Sequence, residues 1–363
     1  TDTEQYGFNW NGTIPITGDF NGDGKADVAL LNNGASGASG SEVMFAASTG
    51  SGYQPLVRWA NLPGWSWDGI KPLVGDFNGD GKADLALVRQ ATGDGADVYA
   101  LYGTSSPSNN SPTLLRNMPS SSGWAWSKFK LVPGDINGDG KADLTIFHQL
   151  SDDGVGIHAL YGGSTPFGNS STWVVNLPAS NGWAWSKMKL AGGKFNADGY
   201  SDVAIFHQVA SDGIDVHMLN GGTTPFANTS TYIRSLPAAN GWVWSKVNLA
   251  AGNFNGDAYD DVALVHSTPS GTDLHTLYGA SSPLANSTTY VQSLAGWNWF
   301  GMKPFTGDAN ADGKADFGSF NNGTAGAGGD QIMAGISTGT TFGTPSSWLS
   351  GLTTKTEWDV DPT

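Results

Sequence analysis

The stretch DFNGDGKADVAL, residues 19–30, returns five more times along the chain. The copies are DFNGDGKADLAL from Asp76, DINGDGKADLTI from Asp135, KFNADGYSDVAI from Lys194, NFNGDAYDDVAL from Asn253 and DANADGKADFGS from Asp308. Successive starts lie 57, 59, 59, 59 and 55 residues apart. Six such units use up the 363 residues and leave no room for a second domain. A second signature precedes each copy: GFNW from Gly7, GWSW from Gly64, GWAW from Gly123 and from Gly182, GWVW from Gly241 and GWNW from Gly296.

Between these signatures, short runs alternate apolar and polar residues and stop at Asn-Gly, Asp-Gly and Ser/Pro/Asn-rich turns, which is the signature of strands. In the second unit the strands are expected at residues 71–77, 82–90, 96–103 and 113–118. Four antiparallel strands per repeat is the make-up of a propeller blade. The chain is therefore expected to be all-β, a single six-bladed β-propeller over residues 1–363 with units opening near residues 7, 64, 123, 182, 241 and 296. N- and C-terminal strands are expected to close the ring, a strand near residues 6–10 completing the last blade.

Composition agrees. Charged residues make up 13% of the chain, about half the usual share, and Glu occurs only at Glu4, Glu42 and Glu357, so long surface helices have no wet face to build on. A net charge of −15 argues against a partner held through phosphate contacts, so no nucleic acid is expected. No run of 18 apolar residues exists, which argues for a soluble chain without membrane insertion. With no Cys, disulfides and thiolate chemistry are impossible.

The acidic repeat sets oxygen-bearing side chains two apart along a tight turn. The full sets are Asp19, Asn21, Asp23 and Asp27; Asp76, Asn78, Asp80 and Asp84; Asp135, Asn137, Asp139 and Asp143; and Asp308, Asn310, Asp312 and Asp316. Hard oxygen ligands at this density suit a structural Ca²⁺. An EF-hand is excluded, because its twelfth position is Leu30 rather than Glu. Lys194 and Asn253 replace the first ligand in two units, so metal cannot be essential to every blade. The same residues also suit Asx-turns that tie a hairpin to its own backbone.

One strand later a polar cluster recurs. Arg89, His148, His207 and His266 stand at one matched position, followed by DVYALYG, GIHALYG, DVHMLNG and DLHTLYG. Period two places Asp97 with Tyr99, Asp215 with His217 and Asp273 with His275 on one face, and His158 at the same place in the third unit. All six His fall at these two positions. A lone His is usually structural, but four matched copies near Trp-rich turns point to a site. Aromatic rings beside imidazole and carboxylate suit a neutral sugar, whose apolar face packs on a ring while its hydroxyls take directional bonds. Blade packing is the competing role for the Trp pairs, and one Trp of each pair is expected to take it.

The GDFNGDGKAD loops resemble FG-GAP-type repeats. Together with GWxW, FHQ and DxHxLYG they make the chain similar to the mushroom N-acetylglucosamine-binding propeller lectins of the Psathyrella velutina type. That resemblance implies non-catalytic, multivalent binding of GlcNAc-terminated glycans and glycoproteins in pockets between consecutive blades. It implies a polar wall of Arg89, His148, His207 and His266, flanked by Tyr99, His158, His217 and His275. Asp97, Asp215 and Asp273 would accept hydroxyls. Each pocket would be closed by Trp from the following GWxW: Trp124 and Trp126, Trp183 and Trp185, Trp242 and Trp244, Trp297 and Trp299.

Departures are visible. The Psathyrella type has seven blades rather than six. Units one and six carry LNNG from Leu31 and FNNG from Phe320 in place of the His position, so about four unequal sites are expected. Gly156 and Asn220 replace Asp and Tyr of the pattern. Two rivals stand beside a lectin: an integrin-like, calcium-dependent protein-binding scaffold, and a propeller glycosidase or lyase. A glycosidase needs two carboxylates at a set distance, and most aspartates are taken up by the repeated loops. Acceptor sequons at Asn11, Asn109, Asn169, Asn228, Asn286 and Asn322 leave the compartment open. A lectin glycosylated beside its own sites is an awkward arrangement, which favours the cytosol.

Overall fold

The computed structural model describes residues 12–33, 40–168, 172–227, 230–269, 271–285, 289–295, 302–321 and 330–352. They form six four-stranded antiparallel sheets, each from one contiguous stretch of chain with its strands in sequence order. In the second unit the strands are Ile70–Gly75, Asp84–Gln90, Ala96–Leu101 and Thr113–Met118, close to expectation. The first strand of each blade lies innermost. Thr13–Gly18 packs beside Ile70–Gly75 and Met302–Gly307, and the other first strands touch their neighbours in turn around the axis.

Burial follows from this stacking. Second strands such as Asp84–Gln90 bury both faces and read as nearly continuous apolar runs. Their alternate residues serve two different interblade cores. Leu85 and Leu87 join Leu31 and Trp59 of the first blade, whereas Ala86 and Val88 join Phe129 and Ile146 of the third. No blade covers both of its own faces, so the ring must close.

A circle of backbone bonds closes it. The first residue of each acidic loop gives its carbonyl to the N–H just before the last Asp of the next loop. Ala83 donates to Asp19, Ala142 to Asp76, Ser201 to Asp135, Asp260 to Lys194, Ala315 to Asn253, and Ala26 to Asp308, all at 2.6–2.9 Å. The last of these joins blade six to blade one. Beside it the Thr17 hydroxyl donates to Thr306 O at 2.6 Å, and the Tyr53 and Trp348 rings meet at 5.3 Å. The strand expected at residues 6–10 lies outside the described residues. The sixth sheet draws its four strands from residues 302–352, so the first and last blades meet by packing of their inner strands.

Because the closing acceptors are main-chain carbonyls, Lys194 and Asn253 serve as well as Asp. The loops brace themselves in the same economical way. Asp19 accepts from the N–H groups of Gly22, Asp23 and Gly24, Asn21 from Asp23, and Asp23 from Lys25. Asp76 and Asp135 repeat the pattern.

The last aspartate of each set turns inward. Asp84 is fully buried and accepts from Phe77 and Gly103 N–H groups, and Asp143 accepts from Ile136 and Gly162. This pairing explains the glycine that ends DxHxLYG. A Cβ on Gly221 would stand 2.4 Å from Ser201 O, so only glycine brings its N–H up to Asp202.

Candidate functional site

The antiparallel order sets the acidic loops, which join first to second strands, at one end of the blades. The hairpins between second and third strands and the blade-to-blade GWxW linkers lie at the other end. There the recurrent polar cluster comes together. Register pairs Arg89 with Asp97, His148 with Gly156, His207 with Asp215 and His266 with Asp273. Tyr99, His158, His217 and His275 sit two residues further on the same face, which looks toward the preceding blade.

The two Trp of each linker part company. Gly123, Gly182 and Gly241 adopt φ of 88°, 86° and 92°, a left-handed turn that glycine makes without strain and that swings the first Trp back over the blade being entered. Trp124 lies 5.8 and 4.8 Å from the His148 and His158 rings. Trp183 lies 5.3 and 4.7 Å from His207 and His217, and Trp242 lies 5.0 and 4.9 Å from His266 and His275. Each pocket is thus closed by the preceding GWxW, not by the following one as expected from sequence. Trp65 consequently joins the second-blade site, with Arg89 over its ring at 4.7 Å and Tyr99 at 4.6 Å.

The second Trp is a staple. Trp126 and Trp185 donate their indole N–H to Val88 O and Phe147 O of the blade just left. Lys71, Lys130 and Lys189 lie over Trp126, Trp185 and Trp244 at 4.0, 4.4 and 4.3 Å, and each ammonium also bonds that Trp's carbonyl. Asp94 and Asp153 hold the Ser after the second Trp by its N–H and hydroxyl. Trp126, Trp185 and Trp244 therefore belong to packing, while Trp297 and Trp299 lie outside the described residues.

One pocket lies between the third and fourth blades. Its cavity is about 440 Å³, with Trp183, His207, Asp215 and His217 on one wall and Asn176, Leu177 and Pro178 of the preceding blade opposite. Tyr232 of the fourth strand lines it as well, a residue sequence reasoning missed. In the third blade Trp173 fills the same role. A Cβ on Gly156 would lie 2.8 Å from the Trp173 ring, so this indole occupies the space where the other blades carry Asp. In blades one and six the matched residues Asn32, Glu42, Asn321 and Gln331 are buried polar groups rather than half-exposed pocket walls.

Burial depresses the basicity of all six imidazoles, and His158, with His148 beside it as a second cause, falls to about 4. They are neutral at pH 7. His266 Nε2 sits 3.1 Å from Gly241 O, and a carbonyl can only accept, so Nε2 carries the proton and Nδ1 is an acceptor. Neutral imidazoles, carboxylates and indole faces can bond hydroxyl and amide N–H groups and cover an apolar ring. Among the described residues no three His, Asp or Glu side chains gather to hold a metal. In the acidic loops, Asp19, Asn21 and Asp23 are occupied by their own backbone, and Asp27 is buried. As folded here, each four-residue set is divided between the loop and the blade interior.

The comparisons with known proteins agree with the fold. An FG-GAP-like repeat model matches residues 19–87 and 76–146. No curated protein sequence matches the chain. Among solved structures, an Agrocybe aegerita lectin described as recognising non-reducing terminal N-acetylglucosamine is 17% identical, with a TM-score of 0.58 over 94% of this chain and 81% of that one. AofleA from Arthrobotrys oligospora is 10% identical, with a TM-score of 0.56 over 94% and 88%. The Aleuria aurantia lectin, solved with α-methyl-L-fucoside, is 11% identical, with a TM-score of 0.53 over 95% and 98%. At these identities what is shared is the propeller fold. No helix among the described residues is long and apolar enough to cross a membrane.

Proposed function

We propose that the protein is a non-catalytic lectin that binds terminal N-acetylglucosamine of glycans and glycoproteins in pockets between adjacent blades. The observation that carries this reading is the fourfold recurrence of one constellation: an indole from the blade linker against a pair of half-buried polar side chains, in blades two to five. Catalysis calls for one asymmetric constellation, whereas near-identical pockets on one rim suit repeated recognition. The Trp ring would take the apolar sugar face. A neutral His Nδ1 and Asp97, Asp215 or Asp273 would accept from hydroxyls and the acetamido N–H. Shallow sites bind weakly one by one, and several on a rigid ring raise avidity by about 10²–10⁴-fold on a multivalent surface. The fold-level likeness to fungal lectins supports the class.

The calcium expected of the acidic loops is not needed for this reading: Asp19, Asn21, Asp23 and their equivalents, at the blade end opposite the pockets, already bond the loop's own N–H groups. The test is isothermal titration with GlcNAc, with and without EDTA. Saturation at about four sugars per chain, unchanged by chelator, is the expected result; absence of heat with GlcNAc overturns the reading.

A further inference from the structure

Three of the most exposed large apolar side chains share one place in the fold. Leu114, Trp173 and Tyr232 are 53%, 52% and 55% exposed, and register sets them opposite Tyr99, His158 and His217. In each case a bulge in the third-to-fourth strand pairing brings them there, skipping one residue of the outer strand. The bulge turns the side chain onto the pocket face.

The aromatic pair is held, not loose. Trp173 meets His158 edge-on at 4.7 Å, and Trp124 meets the other side of the same region at 4.8 Å. Tyr232 meets His217 at 5.4 Å, and Trp183 meets it at 4.7 Å. Both blades thus carry a row of three rings, indole–imidazole–aromatic, running from the linker out to the outermost strand. The inner two rings are half-buried, while the last presents more than half its surface to water. An exposed ring continuous with a concave polar pocket offers a stacking contact to a ligand that extends out of that pocket. Tyr232 lines the same cavity as Trp183 and Asp215.

Resting on the lectin reading, we propose that Trp173 and Tyr232 form an outer subsite for the second neutral pyranose of a glycan whose terminal residue sits against Trp124/His158 or Trp183/His217. A chain leaving the inner pocket outward passes over these rings. The blade-two pocket, with Leu114 at that position, reads the terminal residue alone. The pockets therefore differ in the length of glycan they sense.

The experiment compares titrations of GlcNAc and of a β-linked GlcNAc–galactose disaccharide on the wild type, on the Trp173→Ala/Tyr232→Ala double variant and on Leu114→Trp. The wild type is expected to bind the disaccharide roughly 3–10-fold more tightly than GlcNAc, as one added ring contact provides. The double variant loses that advantage at two of the sites, read as the ratio of the two affinities, whatever it does to GlcNAc itself; both side chains are exposed, so folding is not at stake. Leu114→Trp increases the share of sites showing the advantage. Equal affinities for the two sugars in the wild type overturn the outer subsite and leave the lectin standing. An advantage undiminished in the double variant also overturns it; a remnant does not, since register sets Tyr290 opposite His275 in blade five. Binding of neither sugar overturns both.

Discussion

The Trp183 indole stands 4.7 Å from the His217 ring, whereas Trp185, two residues on, points away and donates its indole N–H to Phe147 O of the previous blade. On the proposed lectin reading, one dipeptide step separates a sugar-facing ring from a staple, although both rings also pack on the interblade core. Trp183→Ala is expected to remove one sugar site of about four and leave the fold intact, as read by the stoichiometry of GlcNAc titration. Trp185→Ala is expected to keep the stoichiometry and lower unfolding stability by about 2–3 kcal/mol, below the value for a fully buried Trp because this ring is half-exposed. Urea denaturation of the two variants checks the division, and equal effects of both on binding would contradict it.

That division shows what the residues disclosed and what they withheld. Blade number, strand content and the matched His positions were legible because spacing and alternation are linear properties. Which blade a linker Trp serves depends on the left-handed turn at Gly182 and on how the ring closes, and the order of residues carries neither. Trp173 and Tyr232 escaped notice for a related reason. Leu114, Trp173 and Tyr232 share no residue type, and the bulge beside His217 breaks the period-two count that would have put Tyr232 on the pocket face. Asp27, Asp84, Asp143 and Asp316 look like loop ligands in sequence, yet each opens a strand and is drawn inward.

On the proposed lectin reading, the imidazoles should make sugar binding sensitive to acid. Burial lowers their proton affinity, so they are neutral acceptors at pH 7 and charge only as pH falls below the ordinary value near 6.5, His158 last at about 4. A protonated ring loses its acceptor nitrogen. GlcNAc affinity should be flat between pH 7 and 8 and decline between about pH 6 and 4. Titration across that range reads the effect, and affinity that rises on acidification would contradict it.

Stability should follow a different curve. Desolvation, outweighing the backbone N–H bonds, raises Asp27, Asp143, Asp202 and Asp261 to about 7, and Asp84 and Asp316 to about 6. A raised carboxyl favours the fold below its unfolded value near 4, and that contribution is lost as pH climbs through 6–7. Lys71, Lys130, Lys189 and Lys303 are lowered by desolvation to about 8, so the fold regains stability as pH rises from there toward the unfolded value near 10.4. Thermal melts should show a shallow minimum near pH 8, and a maximum there would refute the assignment.

The acidic loops give the last prediction. Asp76 satisfies the N–H groups of Gly79, Asp80 and Gly81, and its own carbonyl holds Ala142 of the next blade. Asp76→Ala removes the three side-chain bonds and leaves the carbonyl. The loop is exposed, so water compensates in part, and the loss should be about 1–2 kcal/mol. Asp76→Asn keeps an acceptor and should fall between. Because these bonds are internal to the chain, the melting temperature of the wild type should not move when EDTA replaces millimolar CaCl₂. A rise of several degrees with calcium, absent in Asp76→Ala, would instead show that the loop oxygens take an ion and that the backbone bonds are secondary to it.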